Sequence, residues 1–244
     1  MKKLLLIPII VLLFAVNAWA IGPATLMMFS GDPCADTLCA DCDYQERWEC
    51  GATAGGEDSD QEQTWVDRGG TGAWTDNYTT TVLEGSQSLF ANDDELRCIE
   101  SVSYTEVWVA GMVYLAGGEY QVIFELNAAG ANPVRLSVTW DTDHYHAKVW
   151  YNNVTNSITG TTELSAGNTY YFKLHYKKGT GADAQVHVWL ELNDPFVAWD
   201  SVDISKEDCP DQMTVTRVCV KGDIAAASGI IIDDIRIDGA DIDY

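Results

Sequence analysis

From about residue 80 onward, apolar and polar positions alternate with a period of two, and no stripe of helical spacing interrupts them. That period marks strands with one buried face, because successive side chains point to opposite sides of a sheet. In Glu119 to Leu126 the residues Tyr120, Val122, Phe124 and Leu126 are expected to face a core, with Glu119, Gln121, Ile123 and Glu125 turned away. Val134, Leu136, Val138 and Trp140 alternate in the same way with Arg135, Ser137 and Thr139, and Asp141-Thr142-Asp143 supplies a turn. The next strand sets Tyr145, Ala147, Val149 and Tyr151 against His144, His146, Lys148 and Trp150, and Asn152-Asn153 closes it. Tyr170, Phe172, Leu174 and Tyr176 then alternate with Tyr171, Lys173, His175 and Lys177. A turn at Gly179 to Asp183 leads into Val186, Val188, Leu190 and Leu192 against His187, Trp189 and Glu191, which completes a hairpin. The closing stretch Gly229 to Asp238, rich in β-branched residues, reads as a strand docked onto an existing sheet. Many short strands separated by Gly, Asn and Asp turns predict an all-β chain, folded as a sandwich or a barrel.

Composition narrows the setting. The chain has 244 residues, with 37 Asp+Glu against 14 Lys+Arg and a formal charge of −23. Met1-Lys2-Lys3, the apolar run Leu4 to Val16 and the Ala18-Trp19-Ala20 ending have the form of a secretory signal peptide over residues 1–20. Its removal takes two lysines and leaves 12 basic against 37 acidic residues, or −25. A surface this acidic repels phosphate backbones, so nucleic acid is excluded as a partner. No later apolar run reaches the eighteen or so residues that a spanning helix needs, so no membrane span is expected. The expected localisation is secreted, whether extracellular, periplasmic or on the cell surface.

Seven cysteines follow the leader, and in an exported chain disulfides are the default. Cys34, Cys39, Cys42 and Cys50 are spaced C-x4-C-x2-C-x7-C, which suits staples of an irregular segment over residues 21–44 and its junction better than the two close pairs of a zinc site. Cys209 and Cys219 are candidates to pair, with Cys98 the odd thiol or a partner for the N-terminal group. The sequons at Asn77 and Asn153 are glycosylation acceptors only in a host with that machinery.

Three segments carry a resemblance: Asp76 to Leu89, with its Glu84-Gly85-Ser86-Gln87-Ser88-Leu89 phrase; Leu164 to Leu174; and the closing Ile232-Asp233-Asp234-Ile235-Arg236-Ile237. Together they resemble the concanavalin A-like lectin/glucanase superfamily, including its laminin-G-like members, over residues 45–244. The resemblance implies a jelly-roll β-sandwich of two antiparallel sheets, with carbohydrate or protein ligands on one sheet face or on the rim loops. It also implies a structural calcium: in similar carbohydrate-binding modules an aspartate of the last strand, here Asp233 or Asp234, joins an acidic residue near the start, for which Asp43, Glu46 and Glu49 are candidates.

The superfamily holds lectins, glycosidases, lyases and structural modules, so the fold does not choose among them. The glucanase branch carries its paired carboxylates as Glu-x-Asp-x-x-Glu, and that spacing is absent here. Alginate-lyase-like members use Gln-x-His with Tyr-Phe-Lys. Gln185-Val186-His187 and Tyr171-Phe172-Lys173 are present, but in reversed order and with the Arg-rich strand reduced to Glu95-Leu96-Arg97. All four histidines, His144, His146, His175 and His187, fall opposite the apolar side of their strands, and Trp150, Tyr171 and Trp189 share that side. If those strands lie in one sheet, they form a platform of rings, imidazoles and lysines for stacking on sugars and bonding hydroxyls. The reading is a secreted, non-catalytic module that binds a glycan or surface polymer. The alternatives are a polysaccharide hydrolase or lyase, and a structural or adhesive surface protein.

Overall fold

The computed structural model describes residues 44–46, 65–67, 74–78, 83, 88–91, 96–115, 120–128, 131–141, 144–152, 154–192, 202–210, 213–222 and 230–242. All lie within the compact unit Thr37–Tyr244. The expected leader, Cys34, Cys39, Cys42, Cys50, Asn153, Asp43 and Glu49 fall outside the described residues.

The strands are β1 (Tyr44–Glu46), β2 (Val66–Asp67), β3 (Trp74–Tyr78), β4 (Ser88–Ala91), β5 (Leu96–Tyr104), β6 (Glu106–Leu115), β7 (Tyr120–Ala128) and β8 (Ala131–Asp141). They continue with β9 (His144–Tyr151), β10 (Asn156–Thr159), β11 (Thr169–Lys177), β12 (Ala184–Leu192), β13 (Val202–Cys209), β14 (Val215–Lys221) and β15 (Ile230–Asp238). They form two antiparallel sheets. One runs β13-β12-β11-β6-β15-β4-β3 with β1 added beside β15, and the other runs β10-β9-β8-β7-β14-β5-β2. The chain is thus an all-β sandwich, as the alternation predicts.

The core lies between the inner faces. Phe172, Leu174 and Tyr176 from the eight-stranded sheet meet Phe124, Leu126 and Leu136 from the seven-stranded sheet, all fully buried. Tyr176 keeps its phenol satisfied there, donating to the Met213 carbonyl at 3.1 Å and accepting from the Met213 amide at 3.2 Å. The predicted hairpin forms with Tyr170 opposite Leu192 and Lys177 opposite Gln185. Asp183 fastens its turn, with Oδ1 accepting from the Thr180 and Gly181 amides at 2.7 Å each.

Three expectations are corrected. Ile123, expected to point outward, is fully buried in the core. The register on β8 skips from Val122 to Phe124 there, so Ile123 is the extra residue of a bulge and the strict alternation breaks. Trp140, expected inward, is 46% exposed: it sits near the end of β8, in an edge-to-face contact with Tyr145. Cys219 bonds to Cys98 and not to Cys209, since β14 and β5 pair with these two residues directly opposite. Cys209 is buried at the end of β13, its Sγ 3.9 Å from the Lys206 carbonyl.

Candidate functional site

The central pairing of the eight-stranded sheet sets outward side chains in rows across the strands. Trp108, His175, His187 and Ser205 form one row across β6, β11, β12 and β13. Beside it, Ala110, Lys173 and Trp189 form the next row, and Met112, Tyr171 and Glu191 the one after. Glu106, Lys177 and Gln185 flank the first row on its other side. Strands about 4.8 Å apart hold directly opposed rings within stacking distance. Trp108 and His175 are stacked, with centroids 3.9 Å apart and planes 17° from parallel. His175 and His187 follow at 5.6 Å and 9°. These rings therefore lie face to face along the row and offer ring edges rather than free faces. Trp189 is tilted by 31° from Trp108 and by 50° from His187.

Polar groups hold the row in place. His175 donates through Nε2 to Glu106 Oε1 at 3.0 Å, and Lys177 reaches Glu106 Oε2 at 3.0 Å. His187 Nδ1 lies 3.1 Å from Ser205 Oγ. Burial pushes the His175 imidazole below its ordinary value, a drop that the bond to Glu106 only partly offsets. Burial lowers His187 too, against a weak opposing pull from Glu207. For Glu106, burial pushes upward, but the bonds from Lys177 and His175 together leave the carboxyl below its usual range. Both imidazoles are thus neutral near pH 7, each with one nitrogen able to accept.

Lys173 is the buried cation of the site, with a side chain 4% exposed. Its Nζ lies 5.1 Å from the Trp108 ring and 5.0 Å from the Trp189 ring, and it donates to Asp241 Oδ1 at 2.9 Å and to the Ile242 carbonyl at 3.4 Å. Toward β15 the same face closes over, for Met112, Ile231, Asp233 and Arg236 are buried.

The residues expected to form one platform are divided between the two sheets. Tyr171, His175, His187 and Trp189 share the face just described, whereas His144, His146 and Trp150 lie on β9 of the other sheet. The reason is connectivity: β9 forms hairpins with β8 and β10, and the chain crosses to the opposite sheet before β11 begins. There His146 donates to the Thr162 carbonyl at 3.1 Å, His144 lies 3.4 Å from Glu163, and Lys148 sits 4.3 Å over the Trp150 ring. Sequence reasoning missed Trp108, Glu106 and Asp241. The first two were within reach, because Val107, Val109, Val113 and Leu115 alternate with Glu106, Trp108 and Met112 just as in the other strands.

Asp233 and Asp234 are both buried. Asp233 accepts from Ser88 Oγ at 2.6 Å and from the Asp234 amide at 2.9 Å. Asp234 takes the Arg236 guanidinium in a two-point pair, Nε to Oδ1 at 3.2 Å and Nη2 to Oδ2 at 2.7 Å. A calcium site needs several oxygens free to converge on the ion, and here a guanidinium already fills that side of Asp234. Among the described residues no three His, Cys, Asp or Glu converge on a common point, and Asp43 and Glu49, candidate partners for such a site, lie outside them.

No known family pattern matches the chain, and no curated protein matches it. Solved structures do. An alginate lyase in complex with alginate tetrasaccharide is 10% identical at a TM-score of 0.55, over 82% of this chain and 98% of that one. An endo-β-1,4-glucuronan lyase from the fungus Trichoderma reesei is 9% identical at 0.52, over 83% and 97%. A cellulose induced protein is 14% identical at 0.51, over 83% and 100%. At such identities the likeness is one of fold, a two-sheet antiparallel β-sandwich matched over nearly the full length of each neighbour.

Proposed function

We propose that this chain is an exported carbohydrate-binding module of concanavalin A-like, jelly-roll type, which holds a glycan or surface polymer without modifying it on the outer face of the eight-stranded sheet. The observation that carries the reading is the ring cluster of Trp108, His175, His187 and Trp189 around Lys173, held on three adjacent strands. Ring edges with N–H donors, neutral imidazoles and an aromatic tilted out of the row suit a sugar, which offers hydroxyls on its rim and apolar faces. Export is supported by the leader-like residues 1–20 and by the Cys98–Cys219 bond, since disulfides persist in oxidising compartments.

A catalytic reading has one observation in its favour. Two neutral imidazoles, each with a nitrogen able to take a proton from an activated C–H or water, stand next to the Lys173 row with Tyr171 on the same face, and two of the similar structures are polysaccharide lyases. One experiment separates the two. The purified chain is passed over a panel of immobilised polysaccharides, with calcium and with chelator, while the eluate is assayed for reducing ends and for the ultraviolet absorbance of unsaturated sugars. Retention without release is the expected result, with Trp189→Ala weakening it by at least tenfold, in the range of a stacking anchor. Retention unchanged by chelator is expected from the Asp234–Arg236 pairing. Product release would transfer the site to the lyase or hydrolase reading, and no retention on any glycan would overturn both.

A further inference from the structure

We infer that Lys173 is the recognition point for a carboxylate-bearing sugar, and that the Asp241 side chain occupies this position as a displaceable stand-in. The inference rests on the glycan-binding reading and names the ligand class for that same face.

The argument begins with exposure. The Lys173 side chain is 4% exposed and the Asp241 side chain 55%, although the two are 2.9 Å apart. An ammonium withdrawn from water needs a counter-charge, because leaving it bare costs several kcal/mol. Here that counter-charge comes from the solvent side, on a side chain that is itself more than half in water. Exchanging one carboxylate for another at this point preserves the ion pair and leaves Asp241 free to hydrate, so the exchange is nearly neutral electrostatically. The main chain need not move. Ile242 is 2% exposed and anchors the segment, and its carbonyl stays 3.4 Å from Nζ, so rotation of the Asp241 side chain opens the position.

The surroundings select what enters. Trp108 and Trp189 flank the ammonium at 5.1 and 5.0 Å, and His187 lies 5.9 Å from Trp189. A small inorganic anion would touch none of these rings. A sugar carrying a carboxylate on its ring places the charge on Lys173 and its own body against Trp189, with hydroxyls at the imidazole edges. By contrast, Lys177 is paired to Glu106 at 3.0 Å and its side chain is 50% exposed, so it offers no comparable desolvated position. The chain's net charge of −23 opposes any polyanion at long range, but at about 0.15 M salt that repulsion is screened beyond roughly 8 Å.

Asp241→Asn is the test: the amide oxygen can still accept a hydrogen bond from the ammonium while the charge is removed, and the fold is checked by circular dichroism. The full chain and the variant are compared at about 0.15 M salt for retention on polygalacturonate, on the neutral glucan laminarin and on polyglutamate. Removing the competing charge is expected to tighten polygalacturonate binding on the order of tenfold, the scale of one charge-assisted contact, with laminarin changed by less than about twofold. Lys173→Met, which keeps the length of the stem between the tryptophans, is expected to abolish polygalacturonate retention, its fold checked by circular dichroism. Retention on laminarin with no gain on polygalacturonate from Asp241→Asn would overturn this inference alone. Retention of polyglutamate as strongly as polygalacturonate would overturn the sugar as the ligand, and loss of retention on all three would overturn the glycan-binding reading with it.

Discussion

At the scale of single residues, the two stacked histidines tie the site to pH. Burial lowers both His175 and His187 below the ordinary imidazole value, so the folded chain binds fewer protons than the unfolded chain just below about pH 6.5. Stability then rises with pH wherever the unfolded state holds more protons. It follows that stability is fully present above about pH 6.5, declines as pH falls from there, and levels off once the lowered folded values are passed. The facing charges are Glu106, which the His175 bond already uses, with Lys177 and Glu207 near the pair. Between about pH 7.5 and 5.5 the carboxylates stay ionised, so a falling thermal midpoint over that window reports the histidines. His187→Gln is expected to flatten the slope. An unchanged slope would place the titrating groups elsewhere. The outward placement of His175 and His187 was legible from alternation alone. The stacking of Trp108 on His175 and of His175 on His187 was not, since it depends on which strands become neighbours, and that is a property of topology.

At the scale of elements, the period-two reading located the hairpin of β11 and β12 and the closing strand, and it failed where a strand carries an extra residue. Ile123 in β7 and the Asp233 to Arg236 stretch of β15 are such places; in the second, the register skips and Asp234 takes a positive φ of 44°. A bulge changes no hydrophobic count in the sequence, so the alternation gives no warning of it. One neighbour does mark the second. Gly111 stands on the core side of β6, between Val109 and Val113, where a side chain would be expected. A methyl group there would collide with Ile235 Cδ1 and come within 3.3 Å of Phe124 Cζ. The glycine is therefore the hollow into which the bulged strand presses Ile235. Gly111→Ala is expected to cost about 1–3 kcal/mol through overpacking, read as a lower denaturation midpoint in urea with an unchanged m-value. A neutral or stabilising result would show that Ile235 relaxes freely and that the glycine serves no packing purpose.

At the scale of the whole molecule, the net charge of −23 and the ion pairs respond to salt in opposite senses, and their magnitudes decide which prevails. Among the described residues the pairs differ in how far they are screened. Arg236–Asp234 is buried on both sides and is screened little, while Arg135–Glu125, Arg217–Glu100 and Lys177–Glu106 are more open. Exposed pairs contribute only about 0–1 kcal/mol each, so screening them loses little. The excess of acidic over basic residues, 37 against 14, acts across the whole surface, and compaction brings those carboxylates closer than they stand in the unfolded chain. Shortening the screening length from about 10 Å at 0.1 M to about 3 Å at 1 M removes most of that repulsion. The thermal midpoint is therefore expected to rise by several degrees between about 0.05 and 1 M sodium chloride, on the scale of a stability gain of about 1–2 kcal/mol for a domain of this size. Because sulfate also strengthens apolar burial, sodium chloride is the salt to use. A midpoint that falls with salt would mean that the ion pairs outweigh the repulsion, and that the acidic residues are placed against cationic partners rather than spread over the surface.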